Sequence, residues 1–347
     1  MAEMMKAGFL LGKFNFEVRE IEKPIPGDDE VLIRVKHVGV CGADIDFFTH
    51  GALGPWVVDC PSILGHEPAG EVAGFGKNVK GFALGDKVCV EPGEPCWTCD
   101  YCKKGLYNLC PDVQFHGVPG ITGAFREFLT ASKNLVFKLP AGVSTLEGAL
   151  VEPLAVGLQA VSQSEAKPGM TATILGSGCV GLMILQALRI RGLREIYVVD
   201  IVENRLAKAK ELGAAATVNA SKVDTVEEIR RLTNGQGTDL TFEVSGNKAC
   251  TLQTVHVTKR GGTITMLGLS NYESIPFDIN GMICGQITVK SVFRYANQFP
   301  VAIDALKNGL VDLKSIVSDV FKLEDIQAGL EYNVSNKNFV IKEVIEI

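Results

Sequence analysis

The chain has 347 residues, enough for two domains or one large one with an ample core. Its composition is ordinary for a globular protein, slightly rich in glycine at 37 residues. The net charge of −6, from 34 basic and 40 acidic side chains with no basic block, gives no reason to expect nucleic acid or an anionic membrane as a partner.

At the start, Glu3 precedes an apolar run of only four residues, too short for the core of a secretion signal, so the protein is expected in the cytoplasm. Residues 5 to about 154 read as β-rich. Short alternating or apolar runs at 5–11, 31–40, 71–75 and 86–90 are separated by turns such as Pro26-Gly27-Asp28-Asp29 and Leu84-Gly85-Asp86. This spacing predicts a small antiparallel barrel or sandwich. Cys41 directly follows the run 31–40, and His66 and Glu67 stand 25 and 26 residues further on, between Gly65 and Pro68. A thiolate, an imidazole and a carboxylate suit zinc, and three protein ligands leave a fourth position for water or substrate, as in a catalytic site. Taken singly, the same residues also read as a buried thiol and a polar turn.

The ten cysteines are unevenly spread. Cys96, Cys99, Cys102 and Cys110 form C-x2-C-x2-C-x7-C in a stretch rich in proline and glycine that has no apolar periodicity and therefore no core of its own. In a reducing compartment such clustering points to a metal rather than to disulfides. Four thiolates would close a structural zinc site and supply the missing stabilisation. An iron–sulfur cluster is the competing assignment, although the fourth cysteine belongs to no second cluster motif.

Near Glu152-Pro153-Leu154 the pattern changes to strands alternating with helices. A strand at 171–175 leads into Gly176-Ser177-Gly178-Cys179-Val180-Gly181, which matches G-x-G-x-x-G. A helix at 182–191 and a strand at 195–200 ending in Asp200 follow. The glycines lie between strand and helix, with the acid 19 residues after Gly181, which is the context of a dinucleotide-binding turn. Residues 171–188 carry no charge, yet three glycines and Gln186 argue for a buried strand and helix rather than a membrane span. Further strands are expected at 216–218, 240–244, 263–267 and 287–292, six in all. Helices at 300–307 and 323–332 and a strand at 339–347 complete the chain.

Taken together, these residues resemble the zinc-dependent medium-chain alcohol dehydrogenases over the whole chain. Gly65-His66-Glu67 with Gly70, Gly76 and Val79 beyond it, the cysteine lobe and the nucleotide turn stand in the family's order. Leu150-Val151-Glu152-Pro153-Leu154 and the run Val292-Phe293-Arg294-Tyr295-Ala296-Asn297 look most like the polyol branch, the sorbitol and xylitol dehydrogenases. The resemblance implies an α/β protein: a GroES-like, β-rich catalytic domain at 1–154 and 295–347, interrupted by a Rossmann domain with a six-stranded parallel sheet at 155–294.

It also implies roles. Cys41, His66 and Glu67 would hold the catalytic zinc, with Glu152 bonded to it directly or through water. Cys96, Cys99, Cys102 and Cys110 would hold a second, structural zinc. Gly176, Gly178, Val180, Gly181, Asp200, Arg205, Leu267, Gly268, Leu269, Val292, Phe293 and Arg294 would line NAD. Glu152, Arg294, Tyr295 and Phe47, which stands where the branch often has Tyr, would contact substrate. Ala43 replaces a serine that commonly starts the proton relay; Asp46 and His50 are alternative relay candidates, and Glu152 is better placed by analogy. The implied function is reversible NAD-linked oxidation of a sugar alcohol to a ketose, by a homo-oligomer (dimer or tetramer) that binds neither nucleic acid nor membrane. Two other readings compete. One is a zinc dehydrogenase of another secondary alcohol: galactitol, threonine, butanediol or a sugar phosphate. The other is a non-catalytic nucleotide-binding protein, against which the retention of every metal ligand speaks.

Overall fold

The computed structural model describes residues 3–270 and 274–347. The chain divides into two compact units. The first runs to Glu152 and takes in Phe299–Gly309 and Leu313–Ile347; the second comprises Pro153–Gln298 and Leu310–Asp312. The division therefore falls within the first turn of the helix Val151–Gln163, where a proline is tolerated because its missing N–H has no partner there anyway. Tyr295–Gln298, expected in the first domain, go with the second unit.

The first unit is built on a seven-stranded sheet. Its path runs Val136–Lys138, Lys87–Val90, Glu67–Phe75, Glu30–Gly39, Lys342–Glu346 and Val317–Lys322, and Phe128–Ser132 also pairs with Glu30–Gly39. Every pairing is antiparallel except that of Lys342–Glu346 with Val317–Lys322. A hairpin, Met4–Gly12 with Asn15–Glu22, stands beside it. Val31, Ile33 and Val35 alternate inward along Glu30–Gly39 and join Leu64, Phe48, Phe125 and Ile345 in one apolar core. The central pairing sets Gly39 opposite Glu67. One strand therefore ends just before Cys41 while its neighbour begins at Glu67, which puts residues 25 apart in sequence at the same edge of the sheet.

The second unit is a six-stranded, wholly parallel sheet in the order Ala216–Asn219, Ile196–Asp200, Ala172–Leu175, Thr238–Glu243, Thr258–Met266, Thr288–Ser291. This is the doubly wound order of a dinucleotide fold. Its central strands are buried on both faces, so they read as continuous apolar runs. The uncharged stretch 171–188 resolves into the strand Ala172–Leu175 and most of the helix Cys179–Ile190. No helix among the described residues is long and apolar enough to cross a membrane. The fold class implied by the resemblance is the one observed.

Candidate metal centres and nucleotide turn

In the first unit Cys41, His66 and Glu67 converge: one ligand atom from each lies within 4.8 Å of the others. A tetrahedral zinc, with bonds of about 2.0–2.3 Å to such donors, fits a trio of this size. Cys41 caps the helix Gly42–His50, and Asp44 of that helix, fully buried, organises the trio. Its carboxylate accepts from the backbone N–H of Cys41 at 2.9 Å and of Gly65 at 3.0 Å, and lies 3.9 Å from His66 Nδ1. Burial would by itself strip the proton from His66. The negative charge of Cys41, Asp44 and Glu152, together with a hydrogen bond to Cys41, outweighs burial and raises the imidazole to about 10. Surroundings that hold a proton this firmly also attract a divalent cation, which competes for the same nitrogen.

Glu67 is 1 % exposed and forms an ion pair at 2.5 Å with Lys342, itself 2 % exposed. Lys342 also donates to the carbonyl of Val40 at 2.8 Å. Gly39 is required at this point, because a Cβ there would lie 1.9 Å from Glu67 Oε2 and 2.9 Å from Lys342 Cε. Next to Lys342, Glu343 is pushed up to about 8 by burial and is mostly neutral at pH 7, which leaves the lysine charge to Glu67. Neither Asp44 nor Lys342 was among the residues singled out in the sequence. Glu-to-Lys pairing across a sheet leaves no local pattern, whereas Asp44 three residues after Cys41 is a capping-box spacing that could have been found.

Glu152 is buried and stands outside the trio, close enough for its charge to act on His66. A second buried carboxylate, Glu91, is pushed up to about 7 by burial, with a hydrogen bond from Tyr107 opposing and the charge of Glu152 adding to the rise. Phe47 packs in the apolar core with 3 % exposure. Asp46 and His50 form an i,i+4 pair at 3.5 Å on the helix that follows Cys41.

The four lobe cysteines also converge, all four sulfurs lying within 4.8 Å of one another. Cys99 and Cys102 are 3.5 Å apart, far beyond a disulfide bond and near the roughly 3.8 Å edge of a tetrahedron with bonds of about 2.3 Å. Backbone N–H groups donate into the cluster, Cys96 to the sulfur of Cys110 and Cys99 to that of Cys96, both at 3.3 Å. Hydrogen bonds from the side chain and backbone of Thr98 lower Cys96 to about 6, while burial and neighbouring thiols push Cys102 up to about 12. Four crowded thiols cannot all ionise without a cation among them. Tyr107, packed against Trp97 with ring centroids 5.7 Å apart, ties the lobe to Glu91.

The second unit places the nucleotide turn between strand and helix. Gly176 has φ 106°, a left-handed conformation that glycine adopts without strain. Gly178 caps the helix Cys179–Ile190, with open space where a Cβ would stand. At Gly181 a Cβ would lie 2.0 Å from the carbonyl of Gly176, so helix and strand can only meet at this distance over a glycine. Val180, partly exposed, sits in the first turn of the same helix. Asp200 ends the next strand, and its carboxylate accepts from Ser177 N at 2.6 Å, Ser177 Oγ at 2.9 Å, Ile201 N at 2.8 Å and Val202 N at 3.0 Å. Arg205 lies on the helix Glu203–Glu211 that follows. Gly268 closes on Gly246, whose nitrogen would be 2.0 Å from a Cβ, and Leu267 and Gly268 both donate to the carbonyl of Glu243. Leu269 and Phe293 are exposed, Val292 is half-buried, and Arg294, at φ 54°, lays its guanidinium over the Phe293 ring. Tyr295 is buried in this unit.

Comparison with known proteins finds matches to both parts of the chain. The profile of the alcohol dehydrogenase GroES-like domain matches residues 27–141, and that of the zinc-binding dehydrogenases matches 179–308. The sorbitol dehydrogenase of Bacillus subtilis is 39% identical over 341 residues, 98% of this chain and 97% of that protein. An uncharacterized zinc-type alcohol dehydrogenase-like protein of Escherichia coli is 43% identical over 331 residues, 94% of each chain. The crystal structure of an Escherichia coli oxidoreductase of unknown specificity superposes with a TM-score of 0.95 at 40% identity, over 99% of both chains.

Two outcomes follow from the buried groups. Cys102→Ser should lower the zinc content by about one per chain and the melting temperature by several degrees, measured by metal analysis and calorimetry. Iron in the parent protein, or an unchanged melting temperature, would contradict a structural zinc. Lys342→Met leaves the Glu67 carboxylate buried without its counter-charge. It should destabilise the protein by about 3–5 kcal/mol in chemical denaturation, and a loss below roughly 1 kcal/mol would show that the pair is not what holds Glu67.

Proposed function

The chain belongs to the zinc-dependent medium-chain alcohol dehydrogenases, and from that premise we propose that it oxidises a secondary alcohol of a polyol reversibly with NAD. The observation that carries this reading is the open, three-donor group of Cys41, His66 and Glu67, which leaves a coordination position for a hydroxyl. The full-length similarity to a sorbitol dehydrogenase supports the polyol assignment. When bound, zinc supplies Lewis acidity to the alcohol and the nicotinamide supplies the hydride acceptor. The chain's own residues do the rest. Cys41, His66 and Glu67 hold the metal, with Asp44 fixing the first two and Lys342 the third. Gly176, Gly178 and Gly181 admit the pyrophosphate, and the charge of Asp200 favours ribose hydroxyls over a 2′-phosphate. Arg294 and Tyr295 recognise substrate hydroxyls. The lobe holds a second zinc. The open edge strand Thr288–Ser291, beside exposed Ile279 and Ile283, supports a homo-oligomer, and ten free cysteines support a reducing, cytoplasmic setting.

Ala43 carries no hydroxyl, so the proton released on oxidation needs another route. Glu152, buried beside His66 and in the field of Glu91, is the group suited to take it. Asp46 and His50 pair with each other instead.

A panel of polyols should be oxidised with NAD at a kcat/KM well above that with NADP, and a chelator that strips the trio's metal should abolish the activity. Comparable rates with both nucleotides would refute the cofactor assignment, and chelator-resistant turnover would refute the metal's role.

Glu152→Gln should keep its zinc yet lose about 10²–10⁴ in kcat, whereas Asp46→Asn and His50→Gln should each cost less than roughly tenfold. Glu67→Ala, by contrast, should lose the catalytic metal. A zinc-replete Glu152→Gln protein with a normal pH profile would send the proton elsewhere.

A further inference from the structure

One charged group in the first unit is left unexplained by this mechanism. The loop after the lobe folds against the segment that carries His66. Gly123, Ala124 and Phe125 donate to the carbonyls of Ile63, Gly65 and Leu64, and a Cβ on Gly117 would touch the backbone of Gly65. Phe115 lies against the His66 ring, with centroids 5.5 Å apart. Two basic side chains come with this loop, His116 and Arg126. The guanidinium of Arg126 has its Nε buried with no hydrogen-bond partner, and none of the ion pairs among the described residues includes it. Burial lowers Arg126 to about 10, so it remains a cation at pH 7. Arg126 follows directly on Phe125, whose ring would lie 3.1 Å from a Cβ on Gly65, and His116 follows directly on Phe115, so both basic residues stand next to rings packed on the segment that carries His66. His116 sits below its ordinary value, chiefly through burial, and its Nδ1–H donates to the carbonyl of Thr122 at 3.0 Å. That leaves Nε2 of the neutral ring as an acceptor.

A guanidinium whose Nε is buried without a partner gains from an anion that completes it. Its planar fork matches two oxygens of a phosphate or a carboxylate. We propose that Arg126 is the anchor of an anion subsite beside the metal trio, so that the substrate is a polyol bearing an acidic group, either a phosphate monoester or a carboxylate, with His116 accepting from one of its hydroxyls. The proposal rests on the polyol reading above and narrows it.

The test compares a hexitol, its terminal phosphate monoester and the corresponding hexonate, in the parent protein and in Arg126→Gln and Arg126→Lys. Initial rates are measured with NAD, and equilibrium binding by calorimetry. The parent should favour one of the two acidic substrates over the hexitol by roughly 10- to 100-fold in kcat/KM. Arg126→Gln should abolish the preference while leaving the hexitol rate unchanged, and Arg126→Lys should keep part of it. The phosphate or the carboxylate prevailing identifies which anion the site takes. Because the substitution removes no hydrogen bond or ion pair of the Nε group, the melting temperature of Arg126→Gln should not fall. Oxidation of the hexitol with no preference for either acid, or a preference that survives Arg126→Gln, would overturn the subsite and leave the dehydrogenase intact. If no polyol is oxidised at all, the proposed activity fails. Calorimetry then decides the subsite on its own, since binding of the hexonate or the phosphate ester must still be lost in Arg126→Gln.

Discussion

A negative charge must be kept at Glu67 in a place that water does not reach. The surrounding structure is arranged to meet that requirement. Lys342 supplies the counter-charge and is itself held by the Val40 carbonyl. Gly39 leaves the room that both side chains occupy. The antiparallel register of Glu30–Gly39 with Glu67–Phe75 puts Glu67 opposite that glycine, and the pairing of Lys342–Glu346 on the other side of Glu30–Gly39 brings the lysine. A slip of one residue in either register would turn the carboxylate or the ammonium to the other face of the sheet. Sheet pairing and the placing of the donor trio are therefore one constraint in this unit. Asp44 performs the corresponding task for Cys41 and the Gly65-His66 segment through backbone N–H groups.

The nucleotide turn and the cysteine lobe solve their problems with different means. Around the turn, the absence of side chains is the working feature: Gly181 in it, and Gly268 just past the end of a later strand, let backbone approach backbone at distances that any Cβ would block. Asp200 is tied by four donors, so its charge has a fixed position at the end of the strand before any ribose arrives. The lobe has only a four-residue helix and a single 3₁₀ turn, and its four cysteine sulfurs converge within 4.8 Å of one another.

Whatever depends on short-range spacing was legible in the sequence. The four lobe cysteines, the glycine turn with Asp200, and the alternation of strands and helices after Glu152 all carry their signal within about twenty residues. What could not be read was set by partners far along the chain. Lys342 is 302 positions from the carbonyl it donates to. The strand Asn15–Glu22, largely polar, forms because Met4–Gly12 pairs with it. The strand Val317–Lys322 forms in parallel pairing with Lys342–Glu346. Phe47 shows a different difficulty: its position by analogy points to substrate, while its ring packs in the buried apolar cluster of this unit, and sequence spacing does not separate the two roles. Arg126 gave no signal either, since a single basic residue in a strand-like run is ordinary, and only its missing partner sets it apart.

The path of the chain through the two units also fixes an order of events during synthesis. The second unit is complete in sequence once residue 312 has been made, and domains generally fold as units while translation proceeds. The first unit is still waiting at that stage, because Lys342 has not yet been added opposite Glu67. Until it is, the segment that carries Cys41, His66 and Glu67 is a set of good metal donors attached to an unfinished sheet. The trio therefore reaches its final surroundings only after the nascent chain has passed that lysine, whereas the four lobe cysteines are all present once residue 110 has been made.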